Sequence, residues 1–456
     1  MHKPNPQSQA QALRDAAYAS LQGSASTAEA RALVDAVCAR VAAYEIEHGV
    51  RTNGRGAAQL AKLKKATGAF LADLLVVHSG KLPGEWVYRS LHAKSFTGEP
   101  ISYRIFSALW QALEGLGLIE HKGRVEHWTG VGASNMVAQR WASRFRATPA
   151  LLALSTKHGV PPAKSADHFT MELPREPLQK RATSSRNAYG QKVHGKLMKF
   201  ERTSQTEKLE ADVRELNEFL SKQEIDGGIH QGYVRIFQNG DDPAFNWNMG
   251  GRVYSQPGDR NYQELSRELR LKMQINGEAV SEIDIRASYL TIFLAWHDVQ
   301  LDPAKDPYAI PGIDSRDVVK TWMTATFGKA GKPFTRWSAE MQAYFQEKYG
   351  APLDRQRYPV SRVKDAVLKH YPALAQLEQP LHGRVRTWAD LMYVESVVIV
   401  FTMLDLMRKH GVPSLAVHDS LIIPRSKIEL ATEALKARFR WVTKMEPLIS
   451  ITPEPT

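Results

Sequence analysis

The sequence contains a single cysteine, Cys38, among 456 residues. One thiol cannot form an internal disulfide, so a disulfide-stabilised secreted scaffold is excluded and a reducing, cytoplasmic setting is expected. Long apolar runs are also missing, because the longest stretches, 69–77 and 396–403, are too short or too interrupted to span a bilayer. The first residues show no apolar signal core. We therefore expect a cytoplasmic protein without membrane contact.

Acidic residues are in deficit. The chain has 60 Lys and Arg against 48 Asp and Glu, for a net charge of +12. This excess points to a polyanionic partner, most simply a nucleic acid, although a merely basic protein is the alternative. Hydrophobic residues make up 43% of the chain, enough to form the cores of two or three domains.

The most informative stretch is 281–295, SEIDIRASYLTIFLA. It follows Asn276-Gly277, a dipeptide that strongly indicates a β-hairpin between apolar runs. The second strand ends around Asp284, and the period then becomes helical. A carboxylate at the end of a core strand is costly to bury unless a cap, an arginine or a metal compensates. Capping of the following helix is the alternative interpretation.

A second stretch, 413–424 (PSLAVHDSLIIP), places His418-Asp419-Ser420 between two apolar runs. The pattern predicts a tight hairpin with Asp419 at its apex. Two aspartates on two hairpins suit a pair of divalent cations that catalyse phosphoryl or nucleotidyl transfer. Oxygen ligands favour Mg²⁺, with Mn²⁺ as a substitute.

Two cations lie one turn apart on a predicted helix over 315–327. Arg316 and Lys320 share a face of this helix and could hold a triphosphate, although surface cations at this spacing are common. The following Gly/Lys-rich segment, 328–332, lacks the Walker A spacing and follows a helix, so no P-loop is expected.

The N-terminal third contains a helix–turn–helix pattern with a small hairpin behind it. We expect helices over 84–91 and 102–116, a stop at Gly117, and a hairpin formed by 118–122 and 124–128. This order resembles a winged helix-turn-helix, although a purely structural helical subdomain is the alternative. On the DNA-binding interpretation, the groove and wing residues are Tyr103, Arg104, Ser107, Gln111, Lys122 and Arg124.

Arg252 follows a double glycine in 248–254 (NMGGRVY). Paired glycines allow the backbone to approach a ligand closely, and Arg252 would then point at a phosphate. A bulge carrying an ordinary surface arginine is the alternative.

In chain order, these motifs resemble the palm and fingers of the family A DNA polymerases and the phage-type single-subunit RNA polymerases. The matching segments are DIRASYL at 284–290, Arg316 and Lys320 followed by Phe327-Gly328, and His418-Asp419-Ser420. The resemblance covers 232–449, about half of the chain.

The resemblance implies an α+β fold with an antiparallel palm sheet and helical fingers and thumb, preceded by a mostly helical, winged-helix-like domain. The implied divisions are a helical domain over 1–160, linker and thumb-like helices over 161–230, palm over 231–300 and 383–456, and fingers over 301–382.

The resemblance also implies roles for individual residues. Asp284, Asp419 and the carbonyl of Ile285 would ligate two Mg²⁺ ions. Arg316 and Lys320 would grip the triphosphate of a nucleotide, and Lys320 would protonate the pyrophosphate. Thr324 and Phe327 would face the nucleotide, and Arg252, His418 and Ser420 would lie near the primer and template.

Tyr289 stands five residues after Asp284, where DNA polymerases place a bulky side chain against the sugar 2′-carbon. Deoxyribonucleotides are therefore favoured, although Ser420 resembles the RNA-polymerase version of the last motif. The expected function is a DNA polymerase of a phage, plasmid or other mobile element, acting on primer-template DNA and nucleoside triphosphates. The alternatives are an RNA polymerase or primase, a non-enzymatic DNA-binding replication initiator or regulator, and a two-metal nuclease. The oligomeric state stays open.

Overall fold

The structure is a computed structural model that describes residues 16–79, 85–96, 100–123, 125–129, 137–186, 192–256, 261–328 and 333–453. The chain divides into two compact units with a mixed α+β composition. The N-terminal unit comprises Met1–Leu173 with Pro257–Asn261, and the C-terminal unit comprises Pro174–Gln256 with Tyr262–Thr456. Within the described ranges, no helix combines the length and apolarity needed to cross a bilayer.

The N-terminal unit packs helices against a four-stranded sheet. Its described helices are α1 (Ala28–Glu47), α2 (Ala57–Val76), α3 (Tyr103–Gly115) and α4 (Pro149–Lys157). Its described strands are β1 (Ala17–Tyr18), β2 (Gly23–Ala25), β3 (Val87–Arg89), β4 (Ile119–Lys122), β5 (Val125–Thr129), β6 (Val137–Trp141), β7 (Ser143–Ala147) and β8 (Phe169–Met171). The sheet has the order β1-β3-β7-β4. Its core contains Phe70, Phe106 and Phe145 in mutual edge-to-face contact, with ring centroids 5.0–5.9 Å apart.

The predicted wing hairpin is wrong. Strand β4 pairs with β7, whereas β5 pairs with β6, so 118–122 and 124–128 do not pair with each other. The long-range pairing sets His121 beside the fully buried Phe145 and thereby completes the core. Lys122 lies on β4, and Arg124 lies outside the described residues.

The helix expected over 102–116 is confirmed as α3 and ends before Gly117, which has a φ of +66°. The helix expected over 84–91 is wrong, because this segment contains β3. In that strand Val87 and Arg89 are buried while Tyr88 is half-buried, which is the two-residue period of a sheet.

The C-terminal unit carries eight described helices and fourteen described strands. The helices are α5 (Ser204–Leu220), α6 (Arg267–Arg270), α7 (Ser288–Ala295), α8 (Arg316–Gly328), α9 (Ala339–Tyr349), α10 (Val360–His370), α11 (Trp388–His410) and α12 (Ile428–Thr443). The strands are β9 (Leu178–Arg181), β10 (Ser185–Arg186), β11 (Lys192–Val193), β12 (Leu197–Met198), β13 (Ile225–Asp226), β14 (Tyr233–Phe237), β15 (Gly250–Ser255), β16 (Gln274–Ile275), β17 (Glu278–Ile285), β18 (Pro380–Leu381), β19 (Arg384–Val385), β20 (Leu415–Val417), β21 (Ser420–Pro424) and β22 (Ile449–Thr452).

Two sheets organise this unit. One has the order β12-β9-β14-β15, and the other has the order β13-β16-β17-β21-β20, with β22 also paired to β17. In the second sheet β17 is antiparallel to β16, β21 and β22. Helix α11 packs against β15, α7 and α12, and it supplies apolar side chains to the large core of the unit.

Both predicted hairpins are confirmed. Asn276 and Gly277 join β16 to β17 with φ angles of +53° and +75°, as a two-residue hairpin turn requires. His418 and Asp419 join β20 to β21, with His418 at a φ of +55°. The turn is tight enough to leave Asp419 at the end of the paired strands.

The helix predicted over 315–327 is confirmed as α8, and a further helix, α11, lies before the second hairpin. Residues 380–385 form the small hairpin of β18 and β19. Helix α11 starts after Thr387, whose side chain and that of Asp390 make reciprocal capping bonds. This capping box fixes the residue at which the helix begins, and therefore which of its later residues lie against the sheet.

Candidate active site

Asp284 stands where β17 turns sharply into α7. Ala287 takes a left-handed conformation, with φ +52° and ψ +41°, and it occupies the N-cap position of α7 without a side-chain cap bond. Asp284 therefore does not cap the helix, which removes the structural alternative considered for it. Its side chain is 27% exposed, while Ile283 and Ile285 on the opposite face of the strand are buried.

Asp419 comes to the same place from the β20–β21 hairpin. Asp284 is paired in register with Ser420, and the N–H of Ile285 donates to the carbonyl oxygen of Asp419 at 3.1 Å. Strand pairing thus brings the two aspartates to neighbouring positions at the end of the sheet.

Both aspartates open onto a cavity of about 720 Å³ in the C-terminal unit. The predicted residues that line it are Arg252, Asp284, Ile285, Tyr289, Lys320, Thr324, Phe327 and Asp419. Of the other predicted residues of this unit, Arg316, His418 and Ser420 lie outside the lining. Residues not predicted from sequence also contribute: Thr183, Ser184, Ser185, Ala287, Ser288, Leu290, Tyr308, Met323, Gly328, Trp388, Met392 and Glu395.

One end of the cavity is acidic. Burial raises the pKa of Asp284 to about 6, against the opposing effect of the Arg267 guanidinium, whose Nη2 lies 4.0 Å from Oδ2. Burial raises the pKa of Asp419 well above its usual range, and repulsion by Glu395 and Asp284 adds to the effect. The carboxylates of this cluster would be stabilised by a cation placed between them.

Lys320 lines the same cavity. Burial lowers the pKa of Lys320, and the positive charges of Lys348 and Arg316 act in the same direction. Its Nζ lies 5.6 Å from the centroid of the Tyr308 ring. Arg316 instead directs its Nε to Asp306 Oδ2 at 2.5 Å. Of the two predicted phosphate-binding cations, Lys320 therefore faces the cavity and Arg316 is held by an acidic neighbour.

Tyr289 and Phe327 also line the cavity and form an aromatic corner. The rings of Tyr289 and Phe327 meet edge to face at 6.3 Å, and Phe327 also packs against Phe293 at 5.9 Å. The Thr324 hydroxyl donates to the Lys320 carbonyl oxygen at 2.8 Å, so its hydrogen is used in a bond within α8. On the Phe327 side the corner is buried, since that side chain is only 5% exposed.

Glu395 is the functional candidate that the motifs missed. It is 1% exposed and accepts the Nε–H of Arg252 at 2.7 Å and the Ser288 hydroxyl at 2.7 Å. Arg252, which was expected to point at a phosphate, is thus paired with a buried carboxylate. The only hint in the sequence is that Glu395 is the single charged residue in the apolar run 391–404.

His418 and Ser420 occupy different surroundings from Asp419. The Nδ1 of His418 lies 3.4 Å from Nη1 of Arg252, and burial lowers the pKa of this imidazole to about 4. Ser420 is 2% exposed and donates its hydroxyl to Glu282 Oε1 at 3.2 Å. Ser420 is the register partner of Asp284, and its contact with a primer or template stays a prediction.

The residues predicted to bind duplex DNA lie in the N-terminal unit. Arg104 and Gln111 are exposed on α3, and Ser107 is half-buried. Tyr103 is 36% exposed and meets Phe96 edge-on at 5.6 Å. Lys122 is half-buried, with Nζ 5.0 Å from the Trp86 ring centroid. Helix α3 therefore offers a polar face, whereas Lys122 rests on an aromatic neighbour.

No family model matches the sequence, and no curated protein matches it. Among solved structures, the chain is similar to the POL domain of Pol1 from M. smegmatis in complex with DNA primer-template and dNTP. The two share 12% sequence identity, the match covers 92% of this chain and 80% of that chain, and the TM-score is 0.25. A TM-score this low assigns neither fold nor function.

Proposed function

We propose that this protein is a template-directed nucleotidyltransferase, a DNA polymerase whose reaction takes place in the cavity of the C-terminal unit. One observation carries the proposal: Asp284 and Asp419, on separate hairpins, lie on neighbouring strands at a cavity that Lys320 also lines. Two carboxylates and an ammonium group that line one cavity of about 720 Å³ suit a triphosphate and its divalent ions. The six-stranded antiparallel sheet would be the palm, α8–α10 the fingers and α5 part of the thumb.

The acidic end fits Mg²⁺. Asp284, Asp419 and the carbonyl of Ile285 are oxygen ligands of the kind that this ion prefers. Among the described residues, no group of three or more His, Cys, Asp or Glu side chains forms a metal site, so the ions would rely on these few ligands, on water and on phosphate. Burial of two carboxylates with raised pKa values is the observation that favours a cation here. When bound, the ions would activate a primer 3′-hydroxyl and neutralise phosphate charge.

The chain's own residues would do the rest. Lys320 would contact the triphosphate, and its lowered pKa would ease proton transfer to the departing pyrophosphate. Tyr289 and Phe327 would form the wall against the sugar and base. Because Tyr289 lines the cavity and Ser420 does not, we propose that the substrates are deoxyribonucleoside triphosphates.

Primer extension tests this function. The purified protein is incubated with Mg²⁺, a primed DNA template and either four dNTPs or four NTPs. We expect extension with dNTPs, and Asp284→Asn or Asp419→Asn should reduce it by at least about 1,000-fold while primer-template binding is retained. Asp302→Asn, which removes a carboxylate outside the cavity, is the matched control.

The alternatives give different results in the same assay. A protein that binds the primer-template but never extends it would be a non-enzymatic replication initiator or regulator. Shortening of the primer would indicate a two-metal nuclease. Extension with NTPs in preference to dNTPs would indicate an RNA polymerase or primase.

A further inference from the structure

The two carboxylate oxygens of Glu395 serve different partners. Oε1 accepts from Arg252, through Nε at 2.7 Å and also through Nη2, while Oε2 accepts the hydroxyl of Ser288 at 2.7 Å. The side chain is buried, and Arg252 supplies the opposite charge. Because both oxygens are engaged, Glu395 is best understood as an organising group and not as a further metal ligand.

Both partners of Glu395 lead to Tyr289. Ser288 is its neighbour in the first turn of α7. Arg252 reaches it through space, since Nη2 lies 3.4 Å from the Tyr289 hydroxyl and the guanidinium carbon lies 5.9 Å from the ring centroid. Glu395 is therefore connected to Tyr289 in two ways. It binds Ser288, the residue before Tyr289 in the chain, and it binds Arg252, which contacts the Tyr289 hydroxyl.

We propose that Glu395 is a positioning residue that determines sugar specificity: through Arg252 and Ser288 it fixes the orientation of Tyr289. The inference rests on the proposed polymerase function. Charge-assisted hydrogen bonds in a buried setting are among the strongest in proteins, so they can hold a tyrosine ring in one rotamer. Loss of the charge would release Arg252, which already lies close enough to Asp419 to influence its pKa. The Tyr289 ring would then be free to turn and admit a ribose 2′-hydroxyl.

The test compares Glu395→Gln, Tyr289→Phe and the double variant. For each protein, kcat/KM is measured for insertion of one dNTP and of the matching NTP, and their ratio gives the sugar discrimination. We expect Glu395→Gln to lower this ratio by about 10-fold, the effect of losing one charged hydrogen bond. In the Tyr289→Phe background the same change should have a smaller effect on the ratio, because the hydroxyl that Arg252 contacts is gone.

Two controls separate this role from a merely structural one. Glu210→Gln removes a buried carboxylate that pairs with Arg202 outside the cavity, and it should leave the ratio unchanged. Ser288→Ala removes only one of the bonds to Glu395 and should shift the ratio in the same direction by a smaller factor. It also serves if Glu395→Gln fails to fold.

The outcomes are distinct. Equal losses of kcat/KM for both sugars, or an additive double variant, would overturn the role of Glu395 while leaving the polymerase proposal intact. Absence of extension by the wild-type protein would overturn both.

Discussion

Ile285 and Asp419 are joined by a main-chain hydrogen bond of 3.1 Å from the N–H of Ile285 to the carbonyl oxygen of Asp419. Because Ile285 follows Asp284 directly, this bond ties the two acidic positions together through the backbone. The main chains at the two positions cannot move apart without breaking the sheet, so their spacing is a property of the fold. This rigidity is what a preorganised ion-binding site requires.

Lys320→Ala should be more damaging than Arg316→Ala. Lys320 lines the cavity, whereas Arg316 is engaged by Asp306. We expect Lys320→Ala to lower kcat/KM for nucleotide insertion by about 100-fold and Arg316→Ala by less than about 10-fold, on the scale of charged hydrogen bonds. Steady-state kinetics of single-nucleotide insertion measure both. A larger loss in Arg316→Ala would mean that Arg316 leaves Asp306 when nucleotide binds.

Tyr289→Ala should relax sugar selection. Removing the ring opens the cavity beside the acidic end, where the sugar of the proposed substrate would lie. We expect the ratio of NTP to dNTP incorporation to rise by about 100-fold, because the steric exclusion is lost together with the ring. Incorporation of each sugar into a primed template gives the ratio. An unchanged ratio would show that another residue contacts the sugar.

Mg²⁺ should stabilise the folded protein through Asp284. The pKa of the Asp284 carboxyl is raised from 3.8 to about 6, so the contribution of this group to the free energy of unfolding falls as the pH rises through this interval. Without divalent ions near pH 7.5, Asp284→Asn should therefore raise the free energy of unfolding by about 1–3 kcal/mol. Denaturant titration measures this gain. Mg²⁺ should raise the unfolding midpoint of the wild type more than that of the variant. Equal responses to Mg²⁺ would place the ion elsewhere.

A buried carboxylate in the N-terminal unit predicts a second pH effect. Asp73 accepts from the Leu21 N–H at 2.8 Å and the Ser20 hydroxyl at 3.1 Å, yet burial raises its pKa to about 7. A raised acid pKa means that stability falls as the pH rises from about 4 to about 7. Between about pH 5 and pH 7 the wild type should lose about 2–3 kcal/mol through this group. Asp73→Asn should show a correspondingly flatter dependence in denaturant titrations, and an unchanged slope would contradict the assignment.

Helix α3 remains predicted to bind duplex DNA. Arg104→Ala and Gln111→Ala should weaken duplex binding, and Arg104→Ala should lower the slope of log K against log salt by about one. Fluorescence anisotropy at several salt concentrations measures both quantities. Arg40→Ala, which removes an exposed arginine from α1, is the control. If all three variants bind equally well, the polar face of α3 does not contact DNA.

Sequence reasoning succeeded where the signal is local. The Asn276-Gly277 turn, the His418-Asp419 turn and helix α8 each depend on a few adjacent residues, and each is present. The spacing of Asp284 and Asp419 at the end of one sheet could be anticipated only as a consequence of these local signals combined with a family resemblance.

The failures share a different cause. The pairing of β4 with β7 depends on the burial of Phe145 in the core of the N-terminal unit. The Glu395–Arg252 pair joins residues that are 143 positions apart. The hydrogen bond from the Ser420 hydroxyl to Glu282 likewise joins strands that are remote in sequence. No local period or dipeptide encodes such contacts, so the sequence alone could not show them.

The pairing of β17 with β21 has a kinetic consequence. The Glu282–Ser420 contact closes a loop of 138 positions, and closing so long a loop costs chain entropy before the strands can stabilise each other. Helices such as α11 rely on neighbouring residues and can form early. After dilution from denaturant, helical circular dichroism should therefore return before the β17–β21 pairing forms, and protein that looks folded by its helix content can still lack the pairing that brings Asp284 and Asp419 together.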